Sequence, residues 1–408
     1  MRILAVDEEI PYPPNSGKRL RTYKLFEQLA AEHEIKWLCR SLEGVEYDSR
    51  GLLELGIDCE VIGPPIPRKS GLGFYGSLFA NFFSRYPYVV ARHRSGTMAA
   101  RISEIARSDG IDLIHCEWTP YAVNMISPPV RLPAVLSTHN VESQIWQKTC
   151  RVQRNPLKKL YFLMQWKKME LFEKRQCRRF GRVLAVSEQD RRLLSRWAPF
   201  DRIDVVPNGV DTDYFQPAGT DMEEPNSVVF LGSLDWHPNI DAVEYFIGSI
   251  WPLVTKSLDG CRFIVIGRNP SPALRRMLPP DGSVEVRADV PDVRPHLKSA
   301  SACVVPLRIG GGSRIKILEA FAMAKALVST TVGAEGLEVQ PGKHLLLADT
   351  PVGFASALVR LLRDGEMRAR MGAAARALVE ERHRWNVLAR AVEESWKRAT
   401  ASACASMP

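Results

Sequence analysis

Short β-branched and aliphatic runs recur along the chain, with amphipathic stretches between them. Seven come first: RILAV (2–6), IKWLC (35–39), CEVIG (59–63), DLIHC (112–116), AVLST (134–138), RVLAV (182–186) and IDVVP (203–207). Helical spacing fills several of the gaps, for example 19–32. The series then restarts: SVVFLGS (227–233), RFIVIG (262–267), VEVRA (284–288), SACVVPL (301–307), ALVST (326–330) and KHLLLA (343–348). Near-continuous apolar runs separated by helices are how buried parallel strands read. Two successive sets predict two doubly wound α/β domains. The break falls in 205–226, which Pro207, Asn208-Gly209, Pro217, Gly219 and Pro225 punctuate. The expected organisation is therefore 1–207, then 208–385, then a C-terminal helix and frayed tail over 386–408. The helix itself is read in WNVLARAVEESWKRA (385–399).

Composition narrows the class. A length of 408 residues suits two domains. With 45% hydrophobic and 25% charged residues, disordered, collagenous and low-complexity readings are excluded. Eight cysteines without a CxxC pair read as reduced core thiols. The start MRILAVDEEIPYPP puts acids straight after a five-residue apolar run, unlike a signal peptide. No apolar stretch reaches 18 residues, the length of a spanning helix. The expectation is a cytoplasmic protein. Charge is uneven: 1–210 holds 32 basic and 23 acidic residues, 211–408 holds 23 of each. Segment 151–182 alone holds 11 basic and 2 acidic residues, which equals the net charge of +9.

Ligands of open α/β sheets sit beyond the carboxyl ends of the strands. After the first strand, Asn15-Ser16-Gly17 opens a helix bearing Lys18, Arg19 and Arg21. Backbone amides there can hold an anion, and Gly17 permits close approach. An ordinary strand–helix turn is the alternative. The absence of GxGxxG argues against a dinucleotide-binding first domain. After AVLST comes His139-Asn140-Val141-Glu142, with His115 of DLIHCEW as a competing histidine. The other six histidines form no ligand-like pair, so no zinc is expected.

The strongest signal is PLRIGGGSRIKILEA (306–320). A strand ends, Gly310, Gly311 and Gly312 follow, and a helix opens with Ser313, Arg314, Ile315 and Lys316. Amides at that helix start and two cations make a diphosphate cradle. They also offset charge on a departing diphosphate. Glu319, on the face of Lys316, can accept two hydrogen bonds from a ribose diol. A flexible loop with a surface ion pair is the alternative. Gly232-Ser233 and Gly267-Arg268 repeat the strand-end glycine more weakly.

At these residues the chain resembles the retaining glycosyltransferases of family 4, which have the GT-B fold. The marks span nearly the whole sequence: PYPPNSGKRLR, STHNVES, AVSEQDRRLL, VVPNGVDTDYFQP, VFLGSLDWHPNIDAVEYF and PLRIGGGSRIKILEAFAMAKALVSTTVGAEGLEV. The resemblance implies two Rossmann-like domains facing across a cleft, with a C-terminal helix crossing back. It implies a nucleoside-diphosphate sugar on the second domain, an acceptor on the first, and no bound metal. The family's ribose-holding glutamate matches Glu319, and its diphosphate contacts match Arg314, Ile315 and Lys316. Its early glycine matches Gly17, and its histidine near the transferred sugar matches His139. Ser16, Asn140 and Glu142 are the acceptor-side candidates. Base recognition falls to backbone around Ala288-Asp289-Val290.

Two departures stand out. The family's first acid, eight positions before Glu319, is Gly311 here. The Arg and Lys that follow the second domain's first strand are absent from 232–239. Arg314 and Lys316 are the expected replacements, with Arg268 or Arg308 as helpers.

The implied reaction moves a sugar from a nucleoside diphosphate to a hydroxyl acceptor with retention. The acceptor expected is a saccharide or lipid-linked saccharide. Arg314, Lys316 and His139 carry the chemistry. Segment 151–182 mixes basic residues with Leu157, Leu160, Tyr161 and Met164 on one helical face. That reads as contact with an anionic inner leaflet. A core-packed helix with a solvated basic face is the alternative. The aromatic segment 71–88 is a second candidate, or an acceptor-site lid. No nucleic-acid motif is present. The competing readings are a nucleotide-sugar 2-epimerase or phosphorylase, and a non-catalytic nucleotide-sugar-binding partner.

Overall fold

The structure is a computed structural model that describes residues 1–45, 48–108, 110–126, 132–217, 222–309 and 314–405. It divides into two compact units. One comprises Met1–Pro207 with the chain from Leu388 onward, the other Asn208–Val387.

The first unit is built on seven parallel strands: β1 (Arg2–Val6), β2 (Glu34–Leu42), β3 (Asp58–Ile66), β4 (Leu113–Glu117), β5 (Ala134–Ser137), β6 (Arg182–Ala185) and β7 (Ile203–Val205). Their order in the sheet is β3-β2-β1-β4-β5-β6-β7. The second unit has six: β8 (Ser227–Leu231), β9 (Arg262–Gly267), β10 (Val284–Ala288), β11 (Ala302–Val305), β12 (Leu327–Ser329) and β13 (Leu346–Leu347). These run β10-β9-β8-β11-β12-β13, again parallel. Each apolar run read from the sequence became a strand. The central ones, β4, β6, β8 and β11, are buried at every position, as strands covered on both faces must be. Both units are Rossmann-like.

Strand order reverses between β1 and β4 in the first sheet, and between β8 and β11 in the second. Connections there diverge to opposite faces and leave a crevice at the carboxyl edge. Register fixes what lines it. Val6 lies opposite Cys116, so the next residues, Asp7 and Glu117, end their strands side by side.

The chain ends in the helix Trp385–Ala405. It takes in 400–405 of the tail expected to fray, and 406–408 lie outside the described residues. Ala, Ser and Thr are compatible with a helix, and Thr400 and Ser402 bond their hydroxyls back to the carbonyls of Trp396 and Arg398. Trp396 is fully buried in the first unit, with ring centroids 5.4 Å from His33, 5.6 Å from His115 and 6.3 Å from Phe26. Truncating it leaves a cavity the size of an indole. Trp396→Ala is expected to destabilise the first unit by about 3–5 kcal/mol. Urea unfolding followed by hydrogen exchange on β1 and β4 measures it.

Candidate functional site

At the β1/β4 crevice the structure gathers charge out of water. Lys18 Nζ lies 2.8 Å from both Asp7 Oδ1 and Glu8 Oε1. Burial pulls the Lys18 ammonium down, but Asp7 and Glu8 push it well above its ordinary value. Arg19 pairs with Glu9, its Nε 3.0 Å from Oε2. Arg21, buried, donates to the carbonyls of Val206 and Pro207. All three first-turn cations are therefore engaged: Lys18 and Arg19 by the three consecutive acids that follow β1, Arg21 by backbone carbonyls. Ser16 caps the helix, its Oγ accepting from Arg19 N at 3.4 Å.

His139, just beyond β5, has Nε2 2.9 Å from Glu117 Oε2. Nε2 of His115 lies 3.5 Å from Oε1 of the same carboxylate. Neither approach is aligned as a hydrogen bond, and both Glu117 oxygens are buried. Burial pushes the His139 imidazole below its ordinary value, against the pull of Glu117. Glu142 Oε1 accepts from Trp118 Nε1 at 2.9 Å, and burial lifts its carboxyl to about 7. Asn140 is half-buried beside them.

Trp118 holds a φ of 76°, strained for a bulky residue. The Glu142 bond and an edge contact to His93, with centroids 5.0 Å apart, fix its ring. Glu173 reaches in from the helix Pro156–Arg179. Its oxygens accept from the amides of Glu142 and Ser143 at 2.7 and 3.1 Å, capping the helix Glu142–Val152.

In the second unit the β8/β11 crevice is shaped by close backbone approach. A Cβ on Gly267 would lie 2.0 Å from Gly232 O. A Cβ on Gly232 would lie 2.7 Å from Lys316 Nζ and 2.8 Å from Asn239 Nδ2. The bare Gly267 admits the Gly232 carbonyl, and the bare Gly232 leaves room for the Lys316 ammonium and the Asn239 amide. That ammonium bonds Asn239 Oδ1 at 2.7 Å and sits 4.5 Å above the Phe230 ring. Asn239 is held in turn by Ser233 O at 2.9 Å. Lys316, Ile315 and Glu319 lie on the helix Ile315–Ala322, which follows β11. Burial lowers Lys316 to about 7, with Arg314 adding repulsion. Burial also lifts Glu319 to about 7. The Glu319 carboxylate makes no hydrogen bond or ion pair among the described residues.

The other cations are committed. Arg314 donates to Val332 O at 2.7 Å and lies 3.6 Å from Glu335. Arg308 forks onto Asp241 and stacks over Tyr245, 4.4 Å from its centroid. Arg268 pairs with Asp235 at 3.2 Å. As helpers, Arg268 and Arg308 must first leave acids that ordinary surface pairing gave them. Val290 packs on the core edge just past Asp289, whose φ is 52°. Gly310, Gly311, Gly312 and Ser313 lie outside the described residues.

The structure thus brings together Gly232, Ser233, Gly267, Lys316 and Glu319 in one unit. In the other, His139, Asn140 and Glu142 follow β5 beside the end of β4, while Ser16 and Gly17 open the helix after β1. Sequence reasoning missed Glu117, Asn239, Trp118 and the Lys18–Asp7–Glu8 cluster. Glu117 had a signal: it stands in DLIHCEW, at a strand's carboxyl end, two residues after a flagged histidine. Among the described residues no group of three or more His, Cys, Asp or Glu gathers as metal ligands would.

Residues 20–214 match the family described as Glycosyltransferase Family 4, and 225–364 match Glycosyl transferases group 1. An uncharacterized 44.6 kDa protein in the cps region of Klebsiella pneumoniae is 24% identical over 369 residues, covering 88% of this chain and 90% of that one. A GDP-mannose-dependent monoacylated alpha-(1-6)-phosphatidylinositol monomannoside mannosyltransferase of Corynebacterium glutamicum is 27% identical over 217 residues. That match spans 48% of this chain and 57% of the relative. Among solved structures, sucrose-phosphate synthase from Thermosynechococcus elongatus superposes with a TM-score of 0.69 at 18% identity. It covers 98% of this chain and all of its own, which shows a shared fold.

The lowered Lys316 has a stability consequence. A lysine whose folded-state value drops from 10.5 to about 7 disfavours folding at every pH below 10.5, with the full penalty below about 7. Lys316→Met is expected to stabilise the second unit at pH 7 by more than about 1 kcal/mol. The gain should vanish above pH 10.5. Calorimetric unfolding across pH 6–11 reads both.

Proposed function

We propose, given that the chain belongs to the group 1 glycosyltransferases of family 4, that it moves a sugar from a nucleoside diphosphate to a hydroxyl acceptor. The configuration is retained, and no metal takes part. The observation that carries this reading is the pairing of a free carboxylate, Glu319, with a desolvated ammonium, Lys316, one helical turn apart at the β8/β11 crevice. Glu319 accepts from the two ribose hydroxyls. Lys316 leaves Asn239 for the diphosphate and regains a full charge there, because two phosphate anions offset the burial that lowers it. Amides at 314–316 add donors at the helix start. Arg314 contributes once its guanidinium leaves Val332 and Glu335.

Chemistry on this reading is positioning and electrostatics. The departing phosphate takes the proton of the attacking hydroxyl on the same face. His139 orients the transferred sugar, with Asn140, Glu142 and Ser16 on the acceptor side and Gly17 near the donor. Losing one preorganised cation at such a site costs about 3–4 kcal/mol of barrier, or 10²–10³ in rate.

The acceptor we propose is a saccharide, lipid-linked in its natural form. The helix Pro156–Arg179 leaves Leu157 79% and Leu160 61% exposed, while Glu173 and Gln165 tie its other face inward. The aromatic segment adds Phe79 and Phe83, 68% and 83% exposed. Phe82 and Tyr161, with centroids 5.6 Å apart, join the two into one apolar surface flanked by basic residues. No helix among the described residues is long and apolar enough to cross a membrane. Surface attachment to an anionic leaflet fits this pattern.

Two outcomes are expected. In a panel of UDP-, GDP-, ADP- and TDP-sugars, one nucleotide series at about 100 times its Kd raises stability by about 2.7 kcal/mol, and Glu319→Ala abolishes the effect. Thermal shift checks it. Separately, the protein co-sediments with vesicles containing phosphatidylglycerol and not with phosphatidylcholine vesicles. Leu160→Glu with Phe83→Glu weakens that binding at least tenfold.

A further inference from the structure

Glu117 stands between two imidazoles, one of which has its proton fixed from outside. Trp396 Nε1 lies 2.9 Å from His115 Nδ1. An indole N–H only donates, so His115 Nδ1 must accept. Neutral His115 therefore carries its proton on Nε2, the nitrogen that faces Glu117 Oε1 at 3.5 Å. One oxygen of Glu117 faces that nitrogen. The other, Oε2, faces His139 Nε2 at 2.9 Å. All four atoms between the rings are buried, and Glu117 is 1% exposed. A carboxylate accepts at both oxygens, so a small turn of each ring aligns an N–H with the oxygen it faces.

We propose that Glu117 is the positioning residue of His139. Its carboxylate, indexed by the Trp396–His115 pair, keeps the His139 proton on Nε2 and leaves the Nδ1 lone pair to accept a sugar hydroxyl. The part about the sugar rests on the reading of His139 given above; the tautomer does not. The C-terminal helix thereby sets a proton position in the crevice through a line of four side chains.

The arrangement makes an asymmetric forecast for Glu117→Gln, which keeps the shape and removes the charge. A glutamine offers one acceptor and one donor. His115, fixed by Trp396, demands the acceptor. The amide NH₂ must then face His139 Nε2, which drives the His139 proton to Nδ1. Trp396→Phe removes that demand. His115 can then take either tautomer, the amide can turn over, and His139 recovers its Nε2 proton in part.

The experiment is ¹⁵N imidazole NMR of the full chain without ligands, with His139 assigned by its loss in His139→Gln. Wild type should show a protonated Nε2, Glu117→Gln a protonated Nδ1, and Glu117→Gln/Trp396→Phe a mixture. With donor and acceptor identified, kcat should fall at least tenfold in Glu117→Gln with the donor KM within threefold. The double variant should regain part of kcat. A role in packing alone would make the double variant worse in both readouts. If Glu117→Gln does not fold, Glu117→Asp serves: drawing the carboxylate back by a methylene must lower the Nε2-protonated share of His139. An unchanged His139 tautomer in whichever variant folds overturns the proposal. If the tautomer moves while the wild type transfers no sugar, the function reading fails and the positioning stands.

Discussion

Charge buried at the carboxyl edge of a parallel sheet has to be answered from within the protein, because water is excluded there. Both sheets meet this demand where strand order reverses. In the first, three acids leave β1 and are matched by Lys18 and Arg19, while Glu117 leaves β4 and is matched by two imidazoles. In the second, Lys316 enters a space left by the missing side chain of Gly232, where Asn239 and the Phe230 ring meet it. The first crevice balances its charges but leaves Asp7 Oδ2 and both Glu117 oxygens without an aligned hydrogen bond. In the second, on the proposed reading, an anionic ligand offsets the Lys316 charge.

Much of this was legible in the sequence. The thirteen apolar runs and their two sets prescribed the two sheets, since buried parallel strands tolerate little else. Glu319 was legible because its helix has an apolar face that leaves the carboxylate on the polar one. What escaped reading was pairing over distance. Nothing local in the chain joins Trp396 to His115, or Arg308 to Asp241. The pairing of Lys18 and Arg19 was not legible because the acids that neutralise them lie across a loop. The tail read as frayed because its small residues carry no apolar stripe, although its hydroxyls bond back within the helix.

The two departures from the family pattern take on physical meaning together. Without an Arg and Lys after β8, the strand ends in Gly232-Ser233, and the freed space admits a lysine from the helix after β11. The replacement cation comes from a different element and reaches the same strand end. On the proposed reading, burial lowers its proton affinity and a phosphate would restore its charge.

The most direct measurement is a crystal structure of the full chain with a nucleoside diphosphate. Lys316 Nζ should have left Asn239 and stand about 2.7–3.2 Å from a phosphate oxygen, with Glu319 accepting from both ribose hydroxyls. A nucleotide seated elsewhere, with Lys316 still bonded to Asn239 and Glu319 still free, would contradict the assignment of the donor site.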